Sequence, residues 1–410
     1  MSAVLFDLAV RVAARDAGVP VPRLLHNPAP MRETRVAVGV RRRGSVVHVQ
    51  AVGSDGHRYS GYGPEGLAAV ARASGCAGGD LGGGATAVVD SAATLRVLGG
   101  LAARHADPAL ASAEVAAGSA LAGWWAERAA HPGTSAVTDV LGVSRQRFML
   151  GVVPGADHAG RWRAALAVPT GVAGLHVWHR AVTGGDLLAG LEQIREDDDW
   201  HLGKVQETLN AGRSWDRVET LHVAAARLAS RCDATDLFEA ALLGDPLWRA
   251  RGVHGGFVCR GEVVVGVGPQ AGRVTVRADR LDTRLRPGAA VIGWPGEPMA
   301  ATPGVGDRFG GDVLATEVVG GALAVTIGGL RKSGYRPVAA ERVTVIPAPP
   351  SPSTIRSRRA AVARLYRRRF SWLSQGTTPT SARRAVPLAV MIAAADDEDL
   401  RGEGGDASTA

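Results

Sequence analysis

Residues 35–59, RVAVGVRRRGSVVHVQAVGSDGHRY, decide the character of the first third of the chain. Val36, Val38 and Val40 alternate with other residues, as do Val47, Val49 and Ala51, and a period of two marks a strand with one buried face. Arg43-Gly44 turns the first strand into the second, and Ser54-Asp55-Gly56 marks the next turn, toward Tyr59. The stretch predicts a small antiparallel meander.

Upstream, residues 3–16 have the spacing of a short amphipathic helix with Leu5, Leu8 and Val12 on one face, ending before Gly18 and a proline-rich linker, Pro20 to Pro30. Downstream, the glycine-dense Gly78–Gly84 leads into the apolar run Ala85–Val89. A helix capped by Asp90 or Ser91 follows, carrying Leu95, Leu98 and Leu101. Strand, turn and helix in that order suggest a phosphate cradle, but neither G-x-x-x-x-G-K-[ST] nor a spaced G-x-G-x-x-G is present, so a plain turn is expected.

From Asp107 to Arg251 the pattern is mainly helical. Ser214–Ser230 reads as a helix capped by Ser214, and a second helix is expected to begin at Asp233. The acidic run Glu196–Asp199 reads as N-terminal helix charge. Trp124, Trp125 and Trp162 read as core anchors. His176-Val-Trp-His179 reads as a strand, which would send the two imidazoles to opposite faces and leave no metal site. After Gly255 come short β-rich runs at 263–267, 274–276, 289–292, 313–318, 323–327 and 343–346, the spacing of a small barrel or sandwich.

The fold class expected is α+β and multi-domain. Its parts are an N-terminal α/β region (1–105), a mainly helical domain (106–253), a β-barrel or sandwich module (254–347), a proline linker with basic C-terminal helices (348–395) and an acidic, disordered tail (396–410).

The C-terminal segment carries the functional expectation. Arg356, Arg358, Arg359, Arg364, Arg367, Arg368, Arg369, Arg383 and Arg384 stand between Ser351 and Pro387 without one Asp or Glu, and Trp372 lies among them. Uncompensated charge of this density calls for an anionic partner, and helical spacing of Ile355, Val362, Tyr366 and Phe370 leaves one face to pack and one to meet phosphates. The whole chain agrees, with 410 residues and a formal charge of +8. Lys204 and Lys332 are the only lysines, a usage that coding bias alone can produce, so local clustering is what carries the argument.

Other classes have less support. Cys76, Cys232 and Cys259 are scattered and odd in number, against a disulfide framework or zinc site, and a cytoplasmic location is expected. Met1–Arg15, with Asp7 inside its apolar run, does not read as a signal peptide. Ala385–Ala395 is about half of the ~20 apolar residues a membrane span needs. No G-x-S-x-G elbow or H-E-x-x-H helix occurs, so no catalytic residue, metal or cofactor is assigned. The expectation is a nucleic-acid-binding accessory or structural protein. The alternatives are a scaffold subunit docking an acidic protein partner, or an enzyme with a site in Gly78–Asp90 or His176–Asp186.

Overall fold

The alternation after residue 35 forms paired strands in the computed structural model. The structure describes residues 3–367 apart from 154, 156–157, 217–220, 266–271 and 331–333. Helix α1 (Ala3–Ala17) and the short β1 (Val21–Pro22) precede the meander β2 (Arg35–Arg43), β3 (Val46–Val52) and β4 (Arg58–Tyr62). Then come α2 (Pro64–Ser74), β5 (Thr86–Val89), α3 (Ala92–Ala103), α4 (Ala113–Arg128) and β6 (Val137–Asp139). The sheet runs β4-β3-β2-β5-β6, with the meander antiparallel and β2, β5 and β6 mutually parallel. It therefore takes its last strand from beyond residue 105.

Side-chain parity divides this sheet into two faces. Val36, Val38, Val47, Val49, Ala51, Ala87 and Val89 point to α2, α3 and α4, where Trp124 and Trp125 are buried. Each such large apolar side chain contributes roughly 1.5–3 kcal/mol by leaving water. The crossing of α2 and α4 depends on Gly118, because a Cβ there would collide with the Leu67 backbone. Pro64 starts α2 at a position that needs no N–H. Gly75, at φ 75°, ends it in the left-handed conformation, its N–H directed to the carbonyls of Ala71 and Arg72.

The opposite face packs Ala37, Val52 and Val88 against α5 (Val140–Arg147), α6 (His158–Ala165) and α7 (Gly174–Thr183), with β7 (Phe148–Met149) pairing with β1. His176 and His179 thus sit on a helix, which corrects the strand reading. Gly174 begins that helix, and Leu175, Trp178 and Val182 give it a 3-4 apolar face.

Next follow α8 (Glu192–Asn210), α9 (Leu221–Leu242) and α10 (Pro246–His254). Two expectations are corrected here. Ser214 lies in irregular chain, and Asp233 lies inside the continuous α9 rather than starting a helix. The acidic run Glu196–Asp199 sits within α8, not ahead of it. Glu196 and Asp199 are exposed, Asp197 is half-buried and Asp198 faces inward. Asp198, fully buried, accepts from Arg128 Nε at 2.6 Å and from the Ser135 N–H at 2.7 Å.

The remaining strands are β8 (Cys259–Val265), β9 (Val274–Ala278), β10 (Ala290–Pro295), β11 (Phe309–Val319), β12 (Ala322–Gly328) and β13 (Arg342–Pro347). They pair in the cyclic order β10-β11-β12-β9-β8-β13, a closed barrel around Val276, Val325, Ile327, Val343 and Val345. Arg249 of α10 ties it to the helices, donating to the carbonyls of Pro298 (2.9 Å) and Ala300 (2.6 Å). Helix α11 (Pro352–Arg367) then returns across the helical layer and buries Ile355 beside Leu237 and Phe238 of α9. No described helix is long and apolar enough to cross a membrane.

Candidate nucleic-acid interface

The arginines of α11 divide into two groups. Arg358 Nη1 lies 2.7 Å from Asp236 and 3.2 Å from Asp233, while Arg359 reaches Asp197 at 3.0 Å and Asp233 at 3.3 Å. Both guanidinium pKa values are raised, Arg358 first by its hydrogen bond to Asp236 and Arg359 first by that to Asp197. These two arginines are held by carboxylates of the same chain. Arg356 and Arg364 are exposed, and Arg367 closes the helix. Arg368, Arg369, Trp372, Arg383 and Arg384 lie outside the described residues, as do the expected helix from residue 380 and the acidic tail.

Four barrel arginines are similarly matched, while Arg273, Arg284 and Arg286 have no ion pair among the described residues. Arg277 pairs with Glu262 and Arg280 with Asp282, while Arg260 and Arg342 share Asp279. Alternating charge along neighbouring strands neutralises that part of the barrel surface.

Unmatched charge lies on the meander. Strands β2, β3 and β4 contain no Asp or Glu. Their register sets Arg41 beside His48 and His48 beside Tyr62, then Gly39 beside Gln50 and Ser60, then Ala37 beside Val52 and Arg58. Cross-strand partners share a face, and residues two apart return to it, so Arg35, Arg41, Arg43, Arg58, His48, Gln50, Ser60 and Tyr62 all stand on one side of the sheet. Helices α5–α7 cover only its inner part. Arg41, Arg43, Arg58 and Ser60 are exposed, and Tyr62 is 64% exposed with its ring 4.6 Å from that of His48. Among the described residues, none of these four arginines forms an ion pair.

At the inner end, where α7 meets the sheet, a cavity of about 400 Å3 is lined by Arg35, Arg58, His176, Arg180 and, in the turn after β3, Gly53, Ser54 and Gly56. A second cationic groove lies on the other face, where Arg42 meets Arg96 of α3 and Arg104 just after it around about 340 Å3, without an aromatic ring in its lining. The larger cleft, about 540 Å3 between β6 and α9, is mostly apolar and holds His131.

The regions considered for chemistry are otherwise occupied. Gly83 of the glycine-dense loop accepts a hydrogen bond from Arg32. His176 Nε2 donates to the Val52 carbonyl at 3.0 Å, and His179 is buried, so the two imidazoles do not converge. Among the described residues, no group of three or more His, Cys, Asp or Glu is placed to hold a metal ion.

Sequence reasoning read residues 35–59 for fold alone and did not reach Ser60 or Tyr62 of β4. The available signal was parity together with sign: no acid occurs between Glu33 and Asp55, and Arg35, Arg41 and Arg43 fall on the strand face opposite the valines. Comparison with known protein families, curated proteins and solved structures gives no match to this chain.

Proposed function

We propose that the chain binds single-stranded nucleic acid on the open face of β2, β3 and β4. The observation that carries this reading is the cross-strand row Arg41–His48–Tyr62, an exposed Tyr62 ring tilted at 40° against the half-buried His48 ring, beside unpaired guanidiniums on strands without carboxylates. Guanidiniums meet phosphates through paired hydrogen bonds, and the faces of aromatic rings stack on unpaired bases whatever their sequence. A duplex keeps its bases inside, so an exposed ring on an open sheet face favours the single strand. Binding without strong sequence preference fits an accessory role.

The test is anisotropy titration of a labelled oligothymidylate. Tyr62→Ala is expected to weaken binding by ~1–3 kcal/mol, the usual worth of one stacked base. Arg41→Gln with Arg43→Gln weakens it further and flattens its salt dependence. Equal affinity of all three proteins for the oligonucleotide rules the sheet face out.

A second reading, a subunit of a protein assembly, is favoured by α1, whose Val4, Leu5, Leu8 and Val12 are about half exposed or more. If it holds, Leu8→Glu abolishes co-purification of a protein partner and leaves oligonucleotide affinity unchanged.

A further inference from the structure

We infer that the cavity between α7 and the meander receives the terminal phosphate of a nucleic-acid strand lying on the sheet. This inference rests on the single-strand reading above and adds which part of the ligand the cavity selects.

Three guanidiniums line the cavity, from Arg35 at the start of β2, Arg58 at the start of β4 and Arg180 on α7, and no Asp or Glu lines it. Arg35 Nε is buried without a hydrogen-bond partner, and its Nη1 meets only the weak acceptor Met31 Sδ at 3.6 Å. A buried cationic donor left unmatched costs free energy unless an acceptor arrives, and phosphate oxygens are the acceptors a guanidinium fork fits best. His176 adds to this set. Its Nε2 donates to the Val52 carbonyl, so Nδ1 can donate to a phosphate oxygen only when the ring is protonated.

Charge and shape both favour a chain end over an internal linkage. An internal phosphodiester carries one negative charge, whereas a terminal monoester carries nearly two at neutral pH, closer to the three cations present. The face also closes here. Val172, just before α7, sits where a Cβ on Gly39 would be, which blocks the β2 side of the sheet. A strand crossing from Tyr62 can advance only past Ser60 toward Arg58, and there it meets the wall formed by Ala173, His176 and Arg180.

The experiment compares one oligothymidylate in three forms, unphosphorylated, 5′-phosphorylated and 3′-phosphorylated, against the wild type and Arg180→Gln. Arg180 is exposed, so its replacement leaves the fold intact, checked by an unchanged thermal midpoint. One phosphorylated form should bind the wild type about tenfold more tightly than the unphosphorylated form. Arg180→Gln should lose that preference while binding the unphosphorylated strand as the wild type does, and Arg96→Gln, on the other face, should retain it. Equal binding of all three forms by the wild type overturns the inference and leaves the sheet reading standing. Absence of oligonucleotide binding in any form overturns both. Saturable binding of inorganic pyrophosphate that depends on Arg180, without an end preference among oligonucleotides, also overturns it and assigns the cavity to a small phosphorylated molecule.

Discussion

His131 and His179 are each about 1% exposed, and burial followed by nearby arginines pushes their pKa values down, to about 3 for His131 and about 4 for His179. In the unfolded chain both titrate near the ordinary value of about 6.5, so between pH 6.5 and 4 the unfolded state binds protons that the native state refuses. The stability they contribute is complete above about pH 6.5 and falls as pH is lowered, by about 1 kcal/mol per histidine for each pH unit crossed. Urea midpoints measured from pH 7 to pH 4 should fall, and the fall should be shallower in His131→Asn/His179→Asn. Thiol chemistry follows the same logic. Burial raises Cys76 to about 11 and Cys259 to about 12, whereas Cys232 is exposed. Limited alkylation at pH 8, followed by peptide mass spectrometry, should find Cys232 modified first, since thiolate and access decide the rate. Residue-scale chemistry was legible in the sequence only as residue type. That His179 is buried beside Arg35, or that His176 reaches Val52, depends on α7 lying across β3 from 124 residues away.

At the scale of elements, period and punctuation served well where an element satisfies itself locally. The valine alternation gave β2 and β3, Ser91 preceded α3 as expected, and the β-rich runs after residue 255 fall on β8–β13. Failures occurred where a distant partner decides. The run Glu196–Asp199 resembles helix-start charge, yet Asp197, Asp198 and Asp199 each meet an arginine from elsewhere, namely Arg359, Arg128 and Arg32. Arg358 and Arg359 looked free because their carboxylates lie on α8 and α9, more than 120 residues upstream. In this fold they join α11 to α8 and α9. The Arg358–Asp236 pair is exposed and contributes less than about 1 kcal/mol, but Asp233 and Asp197 are only 2% and 16% exposed, so Arg358→Gln/Arg359→Gln should lower the global unfolding midpoint. It also leaves Asp233 without a cation. Amide hydrogen exchange should then accelerate along α11 and not in β2–β4, while oligonucleotide affinity stays within about twofold of wild type.

For the molecule as a whole, the formal charge of +8 is a poor guide to where a polyanion lies, because much of the positive charge is matched internally. What remains unmatched on the open sheet face is Arg35, Arg41, Arg43 and Arg58, and that number has a measurable consequence. Each phosphate neutralised on a single strand releases counterions with a slope of about −0.7 in log K against log salt, so four contacts predict a slope near −3. Arg41→Gln/Arg43→Gln should reduce its magnitude by about 1.4, and Tyr62→Ala should lower affinity with the slope unchanged, since stacking displaces no ions. Arg277→Gln in the barrel should alter neither quantity, its charge being matched by Glu262 at 2.9 Å. A slope that responds equally to Arg277 and to Arg41 would mean that the partner senses net charge rather than this face, and would remove the basis for placing the strand on the meander.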